Sequence, residues 1–282
     1  MATTIDVALP ERSPIDGPRR TGGAETTTQA QNMRLAMAIA IVSVAAHKAQ
    51  DTFANAELER WALVAATLLI AGSALLVSLE RTSRLGVGVF GAAILFYVSQ
   101  KWMGYHNHGW LAVWTIPVAF LFGSRWWAEE TFRWYLRMTL GVVMLGACAQ
   151  KLLAGTYLDG SFITYLSLLG SNTEQMFGFL CADLEAGPCL AHKALGTFLM
   201  AWQAVVGILL IAGFRHLWFL IVEVAFLLGA GLYADEMNFQ VLNIALFCMA
   251  FGYGMPVRLA ALCMPLLVLD VINISEIIGY VL

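Results

Sequence analysis

The sequence predicts an all-α protein, a polytopic transmembrane helical bundle, and three observations carry that prediction. Of its 282 residues 60% are hydrophobic and only 12% are charged. Mean hydropathy is +0.73, and the charges fall between long apolar runs rather than within them. A water-soluble domain would spread charge over every exposed face, so an apolar excess of this kind calls for a bilayer as solvent. The formal net charge of −3 leaves no electrostatic footprint for nucleic acid, and no basic tract forms a lipid-binding patch.

Residues 1–32 hold Pro10, Pro14 and Pro18, runs of Thr and Gly, and few large apolar side chains. That is the composition of a disordered cytoplasmic tail. No apolar core follows a basic start there, so the stretch is not read as a cleaved signal peptide. From residue 33 to 282 the chain reads as one transmembrane domain. Apolar runs at Met33–Ala49, Trp61–Leu79, Leu85–Gly104, Trp110–Gly123, Trp134–Leu153, Leu195–Gly213, Leu217–Tyr233, Phe239–Tyr253 and Leu259–Ile278 predict about nine spans. Ser161–Gly170 is apolar but too short to cross, so a re-entrant or interfacial helix is expected after the fifth span.

Charge placement sets the expected orientation. With the tail in the cytoplasm of a bacterial inner membrane, the inner connections hold Arg12, Arg19, Arg20, Arg34, Arg81, Arg84, Arg125, Arg133, Arg137, Arg215 and Arg258, eleven of the sixteen Lys and Arg residues. The outer side keeps Lys48, Arg60, Lys101, Lys151 and Lys193, together with Asp51, Asp159, Asp183, Asp235 and Glu236. This bias follows the positive-inside rule. The orientation also gathers His47, Lys48, Lys101, Tyr105, His106, Asn107, His108, Lys151, Asp235 and Glu236 at the outer ends of spans, whereas the inner connections carry mainly arginine with Glu80, Glu129, Glu130 and His216. Such one-sided clustering points to a site.

Lys151 closes a long apolar run. An ammonium at mid-bilayer costs about 2.5–3.5 kcal/mol on insertion scales, so two readings stand side by side: a lysine snorkelling to the interface, or a desolvated amine usable as a base or nucleophile. His108 is either a hydrogen-bonded residue at a helix start or a ligand. His106 and His108 suit a metal by type, but no carboxylate or thiol accompanies them in sequence, and no metal is expected. Tyr97, Lys101, Tyr105 and His108 are spaced to share one face of a helix, with Gly104 interrupting it. His47 and Lys48 end the first span, where they either reach the same cavity or snorkel. Glu223 and Asp270 lie inside apolar runs, as functional carboxylates or as partners of a neighbouring helix.

Cys148, Cys248 and Cys263 sit in apolar runs and read as small packing residues. Cys181 and Cys189 bracket ADLEAGP in the long outer loop, where an oxidising compartment favours a disulfide. A free pair is the other reading; no CxxC spacing marks a redox motif.

Three stretches together, NHGWL at Asn107–Leu111, QKLLAGTYLDGSFITYLSLLG at Gln150–Gly170 and DEMNFQVLNIALF at Asp235–Phe247, resemble in order and approximate spacing the membrane domain of vitamin K-dependent gamma-carboxylase and its bacterial relatives, the HTTM domain proteins. The resemblance spans roughly 107–251. It implies a catalytic histidine at His108, supported by Asn107, and a catalytic base at Lys151, with Tyr157, Asp159 and Gly160 following it. In the third stretch Met237, Asn238, Ile244 and Phe247 match, whereas Asp235 stands where the family often has a histidine. His106, Tyr105, His47, Lys48 and Lys101 are assigned as supporting or substrate-binding residues beside these.

The resemblance further implies a reduced, vitamin K-like quinone as cofactor, with oxygen and carbon dioxide as co-substrates and carboxylation of an unknown substrate, the partner being a protein, a peptide or a periplasmic subunit. The animal carboxylase also has a β-rich lumenal region that grips a propeptide, and the resemblance over 107–251 does not extend to it. Two other classes are weighed: a quinone-binding membrane subunit of an oxidoreductase without carboxylase activity, and a transporter. The transporter class predicts inverted repeats with broken helices at mid-membrane, and no such repeat is visible.

Overall fold

The computed structural model describes residues 24–54, 60–100, 107–168, 178–181, 183–234 and 236–272. In chain order these form α1 (Ala24–Ala54), α2 (Arg60–Ser78), α3 (Ser83–Gln100), α4 (Asn107–Thr115), a 3₁₀ segment (Pro117–Ala128), α5 (Glu130–Ala154), α6 (Ser161–Leu168), a 3₁₀ turn (Gly178–Leu180), α7 (Leu190–Ile211), α8 (Leu217–Ala234), α9 (Met237–Ala250) and α10 (Val257–Ile272). Among the described residues there is no strand.

Among the described residues four helices are long and apolar enough to cross a membrane: Trp61–Ser78, Ser83–Gln100, Glu130–Ala154 and Leu190–Ile211. Leu217–Leu232, Met237–Ala250 and Val257–Leu269 are shorter apolar helices. Large apolar side chains point outward along them, including Leu68, Leu75, Val142, Phe198, Trp218 and Val268. Outward-facing leucine and phenylalanine suit a lipid solvent and are costly in water.

Two helices form the centre. α9 is apolar almost all round and is buried without interruption from Gln240 to Ala250, as a helix enclosed on every side must be. It packs against α1, α5, α8 and α10, while α1 also packs against α2. The core contributions of α1 include Met33, Met37 and Ile41, all fully buried.

The helix α1 begins at Ala24, inside the stretch expected to be a disordered tail. Two long-range hydrogen bonds explain the earlier start: Gln29 Nε2 donates to the Gly252 carbonyl at 2.7 Å, and the Met255 N–H donates to the Asn32 carbonyl at 2.9 Å. The stretch 24–32 carries no apolar period, and it is the turn between α9 and α10 that engages Gln29 and the Asn32 carbonyl. The expected span Trp110–Gly123 is likewise two pieces. Pro117 has no N–H to continue the α4 ladder, and Gly123 bends the 3₁₀ segment with φ of 79°. Trp126 then donates from Nε1 to Ser83 Oγ at 3.0 Å, seating this segment on the start of α3.

One end of the bundle is held by arginines. Glu130 accepts from Arg133 at 3.0 Å, Arg137 at 3.1 Å and Arg215 at 2.7 Å, and the fully buried Arg137 also donates to the Ala250 carbonyl at 2.9 Å. That cluster joins the start of α5, the turn before α8 and the end of α9. α5 and α9 therefore run in opposite directions, and Lys151, late in α5, is carried toward the start of α9.

Candidate functional site

Lys151 lies on the last turn of α5 and faces α7, because the two helices cross closely. A Cβ on Gly141 would sit 3.0 Å from the Gly207 carbonyl, and one on Gly207 would sit 3.0 Å from the Gly141 carbonyl. Small residues at a crossing let backbones approach in lipid, where no hydrophobic force draws helices together. One turn before Gly207 stands Gln203, whose Oε1 accepts from Lys151 Nζ at 2.7 Å.

The same amine lies 4.8 Å from the centroid of the Tyr157 ring, which stacks on Phe162 at 4.4 Å. Tyr157 is positioned by its own backbone: its carbonyl rests on Gly196 of α7, leaving no room for a side chain there. Asp159 is exposed and accepts the Ser161 N–H at 2.8 Å, an Asx turn that opens α6. The hydroxyl and N–H of Ser161 hold the Asp159 carboxyl below its ordinary range. Among the described residues no carboxylate lies within ion-pair distance of Lys151. Its bonded partner is a neutral amide oxygen.

A second polar niche lies between α1, α4 and α9. Ser43, Val44, His47, Lys48, Gly109, Asn238, Phe239 and Leu242 line a narrow cavity. Lys48 is 1% exposed, with its amine 5.1 Å from the centroid of the Tyr97 ring. Asn238 donates from Nδ2 to Gln50 Oε1 at 2.9 Å, and the Ser43 hydroxyl bonds the Asn238 carbonyl. The expected residues His47, Lys48 and Asn238 therefore meet, and Gly109 brings the head of α4 to the same cavity.

Asn107 and His108 are the first two residues of α4. Lys101, Tyr105, His106 and Asp235 lie outside the described residues, as does the helical extension expected to align Tyr97 with Lys101 and Tyr105. Lys151 is not among the residues lining the cavity. The predicted set thus falls into two groups: Lys151 with Tyr157 on α5 and the following loop, and His47 and Lys48 with Asn238.

Gln203, Ser43 and Gln50 were missed by the sequence reading. Ser43, His47 and Gln50 follow a four-then-three spacing on α1, a signal that was present. Gln203 had only its isolation in an apolar run. Of the intramembrane carboxylates, Glu223 is 1% exposed and accepts from Trp202 Nε1 at 2.8 Å, a pairing with the neighbouring helix. Asp270 lies in α10. Cys148, Cys248 and Cys263 are buried free thiols, and Cys181 and Cys189 form a disulfide.

Fold and composition define a class, a helical bundle compatible with a membrane, with two polar niches toward one end. No protein-family model, curated protein or solved structure matches the chain.

Proposed function

We propose that the chain is a multi-pass enzyme of the bacterial cell membrane, a relative of the vitamin K-dependent gamma-carboxylase membrane domain and of HTTM domain proteins, with Lys151 as its base. In this reading nine segments cross the bilayer, the N-terminus is cytoplasmic, and α6 is a re-entrant or interfacial helix beside the site. The observation that supports it is the environment of Lys151, whose Nζ donates to the neutral Gln203 amide at 2.7 Å and lies 4.8 Å from the Tyr157 ring centroid. A carboxylate in contact would hold the ammonium in an ion pair; the neutral amide oxygen of Gln203 forms none, and the Tyr157 face favours the charged form only modestly.

The residues suit a reduced quinone. Tyr157 stacked on Phe162 offers a flat aromatic wall, and the Lys151–Gln203 pair offers an acceptor beside it. A reduced quinone, when bound, supplies a weakly acidic hydroxyl and the electrons for oxygen chemistry. Lys151 accepts the hydroxyl proton at Nζ, and Gln203 takes a hydrogen bond from the resulting ammonium. The apolar residues of α5 and α7 exclude water, which keeps a strong base from being quenched. His108, with Asn107 beside it in sequence, holds a second reactant.

The test is oxygen uptake by purified protein in nanodiscs supplied with a reduced naphthoquinone. Uptake should be abolished by Lys151→Ala and also by Lys151→Arg, since a guanidinium stays protonated. Near-normal uptake by Lys151→Arg would reduce the lysine to a positive charge and overturn the reading. Quinone binding without uptake, indifferent to Lys151→Ala, would instead identify an oxidoreductase subunit.

A further inference from the structure

The outer loop carries a grouping that the Lys151 chemistry does not use. Cys181, Cys189 and His192 each bring a ligand atom within 4.8 Å of the other two. His192 is fully buried in the first turn of α7, and Cys181 is buried beneath the loop. The Thr164 hydroxyl of α6 lies 2.9 Å from His192 Nδ1, and the same hydroxyl reaches the Gly160 carbonyl at 3.1 Å. The imidazole is thus held in a fixed plane by a neighbouring helix, the kind of support that orients a ligating histidine.

We propose that this loop has a second, redox-gated state in which reduced Cys181 and Cys189, together with His192, hold a divalent transition metal ion of the zinc class. In the structure the two sulfurs are joined to each other. A dithiol reductant opens that bond by exchange: its two thiols become a disulfide, and Cys181 and Cys189 take up its two electrons and two protons as free thiols. The metal then displaces both thiol protons to solvent and takes a neutral ring nitrogen as third ligand.

Zinc bonds of about 2.3 Å to sulfur in a tetrahedron place two thiolates about 3.8 Å apart, within the compass of the present grouping once the sulfurs part. Two thiolates, one imidazole and an open fourth position are a soft, nitrogen-containing set that suits zinc over magnesium or calcium. The same chemistry makes oxidation and metal binding exclusive, so a bound ion protects the pair from the oxidant and the disulfide excludes the ion.

Cobalt(II), a spectroscopic stand-in for zinc, tests this directly. In full-length protein with Cys148, Cys248 and Cys263 replaced by alanine and the disulfide reduced by a phosphine, one equivalent should give thiolate-to-cobalt charge-transfer absorption and intense tetrahedral d–d bands. Both should vanish on reoxidation, and His192→Ala should weaken binding by roughly tenfold or more. A measurement independent of any His192 variant is alkylation of the reduced protein, where zinc alone should slow modification of Cys181 and Cys189. Absent bands, bands unchanged in His192→Ala, or alkylation rates indifferent to zinc would each overturn the proposal.

Discussion

Two lysines close apolar runs at the same end of the bundle, and their surroundings differ. Lys48 is enclosed, 1% exposed, with its amine over the Tyr97 ring. Lys151 is partly buried and holds Gln203. Both amines lie over a tyrosine ring, which stabilises a cation, and at the enclosed Lys48 that contact anchors α1 against α3. At Lys151 the amide partner is the feature that matters, and it can be changed without touching the lysine. Gln203→Glu places a carboxylate where the amide oxygen now lies and converts the hydrogen bond into an ion pair that favours the ammonium. The expected outcome is a loss of roughly tenfold or more in quinone-dependent oxygen uptake, the scale of one positioned base, at unchanged helical content by circular dichroism. Activity equal to the parent would show that the neutral partner is irrelevant.

Helix contacts set the register of that site. Gly141 and Gly207 meet at the crossing of α5 and α7, and an added Cβ at Gly141 would come within 2.7 Å of Ile211 Cγ1. Gly141→Leu should destabilise the protein by about 1–3 kcal/mol, the usual result of overpacking, and lower the thermal midpoint in detergent. Gly146 on the same helix has nothing within 4 Å of a built Cβ. Gly146→Leu should leave the midpoint unchanged, and equal losses at both positions would mean that the crossing is not what holds the helices.

At the opposite end, Glu130 is the shared acceptor for Arg133, Arg137 and Arg215. Its side chain is 50% exposed, so solvent screens much of the interaction. Glu130→Ala should cost about 1–3 kcal/mol, below the 3–5 kcal/mol of a fully buried pair, through the uncompensated charge on Arg137. Chemical denaturation in detergent checks it.

For the molecule as a whole, the proposed topology assigns opposite sides of the membrane to the 3₁₀ segment before α5 and the loop after it. Ser124 and Asp159 are both exposed. Single cysteines placed there should separate in intact cells with a permeabilised outer barrier: Asp159→Cys labelled by an impermeant thiol reagent, Ser124→Cys shielded. The reverse pattern would invert the assignment of the polar niches to the outer side.

Helical class and the apolar segments were legible because in lipid each helix satisfies its own backbone, so hydropathy alone marks where a segment lies. Local placements were legible too: Lys151 at the end of its apolar run, and the pairing of Cys181 with Cys189. The start of α1 at Ala24, the break at Pro117, the bond from Lys151 to Gln203 and the meeting of His47 and Lys48 with Asn238 were decided by tertiary structure. Gln29 finds Gly252, and Lys151 finds Gln203, only after helices distant in sequence have packed. A hydrogen bond is short-ranged and its partner is chosen by that packing, whereas burial in lipid acts on each segment alone and is written into its own composition.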